Sequence, residues 1–103
     1  MAEPAVGENS MSISFAAKIV VPTDTLINVI GEEAVLLNLK SEQYFGLDPI
    51  GTRMWNVLTT SDSVQTAFDA LLSEYEVAAD VLRRDLTDLL EKLLAHGLVE
   101  LQG

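Results

Sequence analysis

The 103-residue chain contains no cysteine, only one histidine and only six basic residues. Without cysteine it can form neither disulfides nor thiolate metal sites, so we expect the cytoplasm as its compartment. The single histidine, His96, has no second histidine or cysteine with which to complete a zinc site or a catalytic pair. Serine-nucleophile and phosphate-binding glycine motifs are also missing. These absences argue against an enzyme acting alone and predict no catalytic residue, metal or cofactor.

Positive charge and long apolar runs are equally scarce. Sixteen acids against six bases give a net charge of −10, whereas binding to a phosphate backbone draws on clustered lysine and arginine. No apolar run approaches the ~18 residues that a membrane-spanning helix needs. The first residues also lack the basic segment of a signal peptide. We therefore expect neither nucleic acid nor a membrane among its partners.

A series of short strand signals occupies the first half of the chain. Residues 1–24 are predicted to be a flexible tail or lead-in segment, with a candidate strand near Ile19, and residues 25–103 to form one domain. The segments Thr25–Ile30, Ala34–Leu39 and Gln43–Leu47 are separated by turn residues. They predict an antiparallel meander in which the first and third strands are edges.

Capping and stop signals mark an end of two of the three predicted helices. The first runs over residues 49–58, because Asp48 is a good N-cap and proline is favoured at the first helical position. Its apolar spacing places Ile50 on the buried face. The third runs over about residues 78–96 and ends at Gly97. Its leucines cover an arc of roughly 140°, opposite a face of alternating charge.

The remaining helix lies between these two. Asp62 and Gln65 have the spacing of a capping box at its start, and apolar residues recur at helical spacing as far as Tyr75. With the strands, this predicts an α+β fold in which a three-stranded antiparallel sheet is followed by three helices.

The third strand has the character of an open sheet edge. Exposed edges are normally protected by lysine, proline or a bulge, and the segment Tyr44-Phe45-Gly46-Leu47 contains no lysine or proline. Gly46 would let another backbone approach closely. An open edge beside a helix can bind an extended peptide. The residues leave open whether residues 13–21, a second copy of the chain or a peptide partner covers this edge.

Strands and helices in this order also permit a winged-helix DNA-binding regulator that uses the third helix for recognition. That helix carries four acids, Asp80, Asp85, Asp88 and Glu91, against three bases, Arg83, Arg84 and Lys92. The acidic balance argues against this alternative.

The segments VLLNLKSEQYFGLDPIGTRMW, EYEV and VLRRDLTDLLEKLLAHGLVE, in this order and spacing, resemble the PqqD-like proteins. These are the precursor-peptide recognition elements of ribosomally made, post-translationally modified peptides. The resemblance extends from about Thr25 to Leu101. It implies a winged-helix-like fold, no catalytic activity and binding of the leader segment of a precursor peptide.

Carried onto this chain, the resemblance implies a leader that adds as an antiparallel strand to the third strand and lies against the third helix. The implied peptide-binding residues are Gln43, Tyr44, Phe45, Gly46 and Leu47 of the strand and Val81, Asp85, Asp88, Leu89 and Lys92 of the helix.

The Tyr-Phe-Gly-Leu sequence before the first helix is most similar to the free-standing leader-binding partners of lasso-peptide proteases. The implied function is a non-catalytic chaperone that presents the leader to a processing enzyme, such as a leader protease. A leader carrier for a radical-SAM enzyme of pyrroloquinoline quinone synthesis and a structural homodimer joined edge to edge are the alternatives.

Overall fold

The computed structural model describes residues 13–102. In chain order the elements are β1 (Lys18–Val20), β2 (Thr25–Ile30), β3 (Glu33–Asn38), β4 (Gln43–Leu47), α1 (Pro49–Thr60), α2 (Val64–Glu74), α3 (Ala79–Ala95) and β5 (Glu100–Gln102). The predicted tail over residues 1–12 lies outside the described residues, and the domain boundary at residue 24 stays a prediction.

The three central strands form the predicted antiparallel sheet in the order β2-β3-β4. Leu36 of β3 lies opposite Ile27 on one side and Phe45 on the other. Because side chains alternate along a strand, these residues share the sheet face that packs on the helices. Ala34, Leu36 and Leu47 are buried on this inner face. The fold class predicted from the sequence is confirmed.

The two ends of the described chain form a second, two-stranded sheet. Ile19 of β1 pairs with Leu101 of β5, and Ile19 is buried in the core. This pairing carries the N-terminal segment away from β4. The alternative in which residues 13–21 cover the β4 edge is therefore wrong.

The segment before β1 also determines how α2 begins. The carbonyls of Phe15 and Ala17 accept hydrogen bonds from the backbone N–H groups of Gln65 and Val64, at 2.7 and 2.8 Å. These carbonyls satisfy two of the orphan donors at the start of the helix.

The predicted capping box at Asp62 and Gln65 is wrong. Ser63 is the N-cap, and its Oγ accepts from the backbone N of Thr66 at 3.1 Å. The Gln65 side chain instead donates to Asp69 at 2.9 Å. A distant segment of the chain supplies the acceptors at this helix start, which no local spacing rule includes.

The predicted start of α1 at Asp48 is confirmed, but the prediction that Ile50 lies on its buried face is wrong. Asp48 Oδ1 accepts from the backbone N of Gly51 at 2.7 Å, as expected of an N-cap. Ile50, however, is 54% exposed. It lies in the first turn, whereas the buried residues of α1 begin at Thr52 and continue through Met54 and Trp55.

A surface ion pair joins α1 to α2. Arg53 donates to both carboxylate oxygens of Glu74, at 2.9 to 3.1 Å. The hydrogen bond from Arg53 holds the pKa of the Glu74 carboxyl below its usual value. Both side chains are solvent-exposed, so the pair contributes only modestly to stability.

Candidate functional site

The hydrogen-bond register determines which backbone groups of β4 face outward. Leu39 donates its N–H to Asp24, on the β2 side, whereas Glu42 donates to Asn38, on the β4 side. Because backbone groups alternate in direction along a strand, the groups of Asn38 and of every second residue of β3 face β4. The β4 residues paired with them are Gln43, Phe45 and Leu47, so the backbone groups of these three residues form their hydrogen bonds with β3.

Tyr44 and Gly46 therefore direct their N–H and C=O groups away from the sheet. Within residues 13–102 no strand pairs with this edge. A Cβ atom built on Gly46 would meet no atom within 4 Å, so another backbone can approach. The edge offers two donors and two acceptors at the spacing of an antiparallel strand.

The C-terminal end of α3 is attached to the β3–β4 hairpin. Asn38 Nδ2 donates to the carbonyl of His96 at 2.7 Å, and the rings of His96 and Phe45 have centroids 5.2 Å apart. Gly97, at φ 68°, ends the helix. The N–H of Leu98 then reaches the carbonyl of Leu93 at 2.9 Å, which is the bond of a Schellman motif. These contacts hold α3 alongside β4.

An open groove of ≈ 420 Å³ separates the edge of β4 from α3. It is lined by Phe45, Gly46, Asp48, Asp85, Asp88, Leu89 and Lys92. Six of the ten residues predicted from the sequence thus meet in one place. Phe45 and Leu89 are half-buried apolar residues that pack on the core, and the carboxylates and the lysine surround them.

The other four predicted residues lie outside this groove. Gln43 is exposed next to the hairpin turn. The side chain of Tyr44 lies on the opposite face of the sheet and is 72% exposed, whereas Leu47 is buried in the core. Val81, one helical turn before Asp85, is half-buried and does not line the groove.

The sequence-based prediction missed two parts of this surface. Asp48, recognised only as a helix cap, also lines the groove. Beyond Asp85, a smaller cavity of ≈ 90 Å³ continues toward α1, lined by Ile50, Met54, Tyr75, Val77, Leu82 and Asp85. The sequence signal that could have predicted this cavity is Ile50, an apolar residue in the first turn of α1 and next to the β4 edge. The helical spacing of α1 instead led to the prediction that Ile50 is buried in the core.

The charge of the groove is uneven along its length. Asp48 already accepts the bond from Gly51, and Asp85 lies 4.0 Å from Arg84 Nε with both side chains exposed. Lys92 lies one turn beyond Asp88, toward the hairpin. One end is therefore acidic and the other carries a cation, which suits a peptide whose charge changes sign along its length.

The described residues contain no group of three or more histidine, aspartate or glutamate side chains placed to hold a metal ion. No helix in residues 13–102 is long and apolar enough to cross a membrane. The groove thus offers backbone hydrogen bonds, an apolar floor and fixed charge. An exposed strand edge beside such a groove is a place where an extended peptide can add to a sheet.

The family model of coenzyme PQQ synthesis protein D (PqqD) matches residues 33–99, from β3 to the end of α3 and the residues after it. The chain belongs to the PqqD family. Among solved structures, one described as TbiB1 in complex with the TbiA(beta) leader peptide is 34% identical, with a TM-score of 0.73. The match covers 79% of this chain and 94% of that one. No curated protein sequence matches the chain.

These comparisons confirm the family resemblance found in the sequence. The fold of this PqqD-family chain is the fold of TbiB1 over most of both chains. The ten peptide-binding residues stay a prediction, because the comparisons identify no residue contacts.

Proposed function

We propose that this PqqD-family chain is a non-catalytic carrier that binds the leader of a ribosomal precursor peptide and presents it to a processing enzyme. The leader adds as an antiparallel strand to β4 and lies in the groove against α3. The observation that carries the proposal is the β4 edge at Tyr44 and Gly46, which faces that groove and which no strand within residues 13–102 pairs with. The similarity to TbiB1, whose structure contains a leader peptide, supports it.

Backbone pairing at β4 contributes only part of the affinity. Tyr44 and Gly46 present two donors and two acceptors. At a net ~0.5–1.5 kcal/mol per hydrogen bond, they contribute about 2–6 kcal/mol before any ordering cost. A micromolar dissociation constant needs about 8 kcal/mol. Side chains of the leader must supply the difference by packing on Phe45 and Leu89.

Charge in the groove gives the bound leader a direction. β4 runs from the hairpin toward Asp48, so an antiparallel leader places its N-terminal half near Asp85 and its C-terminal half near Lys92. A basic residue in the N-terminal half of the bound segment would then face Asp85 and Asp88. Replacing Asp85 by Asn preserves volume and removes charge. We expect weaker leader binding, by about 5- to 10-fold at low salt, with an unchanged melting temperature.

The processing enzyme gains from this binding through effective concentration. A leader held by the carrier keeps the cleavage or modification site of the precursor near the enzyme without new chemistry. We assign a leader protease of the lasso-peptide type as the partner, and a radical-SAM enzyme of pyrroloquinoline quinone synthesis is the second candidate. This role places the chain in the cytoplasm, where precursor peptides are synthesised.

Nuclear magnetic resonance titration tests the binding mode. The probes are the TbiA(beta) leader peptide and the leader of any short precursor encoded beside the gene of this chain. We expect the backbone amides of Tyr44 and Gly46 to shift and to become protected from exchange, and those of β2 to stay unchanged. Binding that leaves both β4 amides unprotected contradicts strand addition.

Reconstitution tests the carrier role. Mass spectrometry should find the precursor unaltered after incubation with this chain alone, and processed faster when the neighbouring protease is added with it. The acceleration should disappear for a precursor without its leader. Processing by the chain alone, or an enzyme that runs at full rate without it, contradicts the proposal.

A further inference from the structure

The strand β2 forms the other edge of the three-stranded sheet. Leu39 of the β3–β4 turn donates its N–H to the carbonyl of Asp24 at 2.8 Å, which sets the alternation of backbone groups along β2. The N–H and C=O groups of Ile27 and Val29 therefore face away from β3. Within residues 13–102 no strand pairs with this edge. The sheet thus has a second edge whose backbone groups can bind another strand.

The sequence of β2 has none of the features that normally protect an edge. The strand, TLINVI, contains no charged residue, no proline and no glycine, and four of its six residues are β-branched. Natural edge strands carry charges, proline or bulges that prevent pairing with another chain. A six-residue segment of high β-propensity without charge or proline pairs readily with a further strand.

The helices leave the inner face of β2 partly uncovered. Ile27 is 40% exposed and Val29 55%, although both side chains lie on the sheet face that packs on the helices. A cavity of ≈ 350 Å³ lies beside Val29, and Arg53 and Asn56 of α1 also line it. The space next to β2 therefore has room for the side chains of an added strand.

The sequence of β2 is complementary to itself in one antiparallel register. Pairing Asn28 with Asn28 of a second copy places Ile27 opposite Val29 on the inner face. Leu26 then lies opposite Ile30 on the outer face. Apolar residues meet apolar residues, and the two amide side chains meet at the two-fold axis. A two-fold interface requires self-complementarity of this kind, and the outward backbone groups of Ile27 and Val29 bond to each other in it.

The registers on either side lack this match. In them Asn28 would lie opposite Leu26 or Ile30 of the second copy, so an amide would face an apolar side chain. One of them would also need the N–H of Thr25, which already donates to the carbonyl of Pro22 at 3.1 Å. The register centred on Asn28 is therefore favoured.

Charge and size predict a weak association. Each end of the seam brings Glu32 of one copy near Asp24 of the other, whose carboxylate lies 3.5 Å from Lys40 Nζ. The two copies also carry a net charge of −10 each. Salt screens this repulsion, so the dimer should tighten as salt increases. Six residues at ~3.4 Å and a sheet ~10 Å thick give roughly 200 Å² per copy, well below the ~800 Å² of a stable interface.

We propose that β2 pairs with β2 of a second copy, in the register centred on Asn28, and forms a weak homodimer. The two three-stranded sheets become one continuous sheet with β4 at each end. The two-fold axis is perpendicular to the sheet, so the helices of both copies lie on the same side. Both β4 edges and their grooves remain free, which distinguishes this dimer from one joined through β4.

Val29→Pro tests the seam, because it removes an N–H that faces outward and no bond within the sheet. Val29→Thr is the matched control, since it keeps the N–H and the β-branched shape. Sedimentation equilibrium of the full chain up to millimolar concentration gives the dimerisation constant, and circular dichroism checks folding. We expect Val29→Pro to weaken dimerisation at least tenfold and Val29→Thr to leave it within a few-fold of wild type.

Opposite charges at position 28 test the register. Asn28→Asp and Asn28→Lys each bring like charges together at the two-fold axis, so each variant alone should be monomeric where wild type dimerises. An equimolar mixture should form a heterodimer, because opposite charges then meet. Ser73→Asp with Ser73→Lys is the matched control. Ser73 is exposed on α2, and the same charges there should leave dimerisation of each variant unchanged.

Four results would overturn the proposal. The first is a wild-type chain that stays monomeric at millimolar concentration. The second is a dimer that folded Val29→Pro does not weaken, or an Asn28 variant mixture that does not pair. A dimer dissolved by the TbiA(beta) leader peptide would place the seam at β4. Protected Ile27 and Val29 amides in a monomer, exposed by deletion of residues 1–12, would assign the edge to that segment. Failure of the proposed function is distinct, because the sedimentation experiments contain no leader and no enzyme.

Discussion

Proline at position 46 isolates the backbone contribution of the β4 edge. The register turns the N–H of Gly46 away from β3, so proline there removes a donor from the edge and none from the sheet. Proline is tolerated in an edge strand when its missing N–H faces solvent. Gly46→Ala is the matched control, since the added Cβ meets no atom within 4 Å and the N–H is kept.

The expected loss follows from one missing hydrogen bond. Gly46→Pro removes a bond worth ~0.5–1.5 kcal/mol and leaves a leader carbonyl unsatisfied, for a total of about 1–3 kcal/mol. With 1.4 kcal/mol per factor of ten, leader affinity should fall roughly 5- to 150-fold. Phe45→Pro serves as the opposite control. The N–H of Phe45 faces Leu36 in the sheet, so this variant should lose stability itself.

Fluorescence anisotropy with a labelled leader gives the dissociation constants, and circular dichroism checks that each variant is folded. We expect Gly46→Ala to bind within a few-fold of wild type and Gly46→Pro to bind far more weakly at a similar melting temperature. Equal affinity of folded Gly46→Pro and Gly46→Ala would refute strand addition at β4. A Phe45→Pro variant that stays as stable as wild type would refute the register on which the design depends.

Three further expectations concern the groove and the helices. Leu89→Ala should weaken leader binding by ~1–3 kcal/mol with only a small loss of stability. Leu90 is fully buried, so Leu90→Ala should instead lower the free energy of unfolding by ~2–5 kcal/mol. If Leu89→Ala lowers stability as much as Leu90→Ala and leaves leader affinity unchanged, Leu89 is not part of the site. Ser63→Ala should destabilise α2 by about 1 kcal/mol in chemical denaturation and Asp62→Ala should not, and the reverse order would contradict the observed cap. The lowered pKa of Glu74 means that its ion pair stabilises the fold above the unfolded-state pKa near 4.5 and that this contribution disappears as pH falls through the lower folded-state value. Glu74→Gln should therefore lower the melting temperature at pH 7 but not at strongly acidic pH, and an equal difference at both would exclude this linkage.

Local signals predicted the elements that depend on neighbouring residues. The Asp48 cap and the glycine stop at Gly97 both appear in the structure, because each is a hydrogen-bond pattern closed within a few residues. The start of α2 shows where such reasoning ends. Its amides bond to Phe15 and Ala17, almost fifty residues away in sequence, so the local pattern at Asp62 and Gln65 had no means of including them.

The groove was predictable in part for the same reason. The alternation of β4 and the helical spacing of α3 place Phe45, Asp85 and Leu89 on particular faces of their elements, and these three do line the groove. The direction of the β4 amides depends on which residue of β3 lies opposite, and hydrogen bonds at Asp24 and Asn38 set that register. The exposure of Ile50 likewise depends on where α1 lies relative to the sheet.

The sequence by itself determined the α+β class, the order of strands and helices, the acidic charge and the family, because each follows from residue types and their spacing along the chain. Tertiary structure alone decided that β1 pairs with β5 and that no strand of the described range 13–102 covers the outer edge of β4. It also decided that the amides of Tyr44 and Gly46 face outward and that the edge of β2 has no strand beside it in the same range. The physical reason is that each of these depends on a contact between distant segments, and a pattern of period two or 3.6 specifies the face of an element but not its partner.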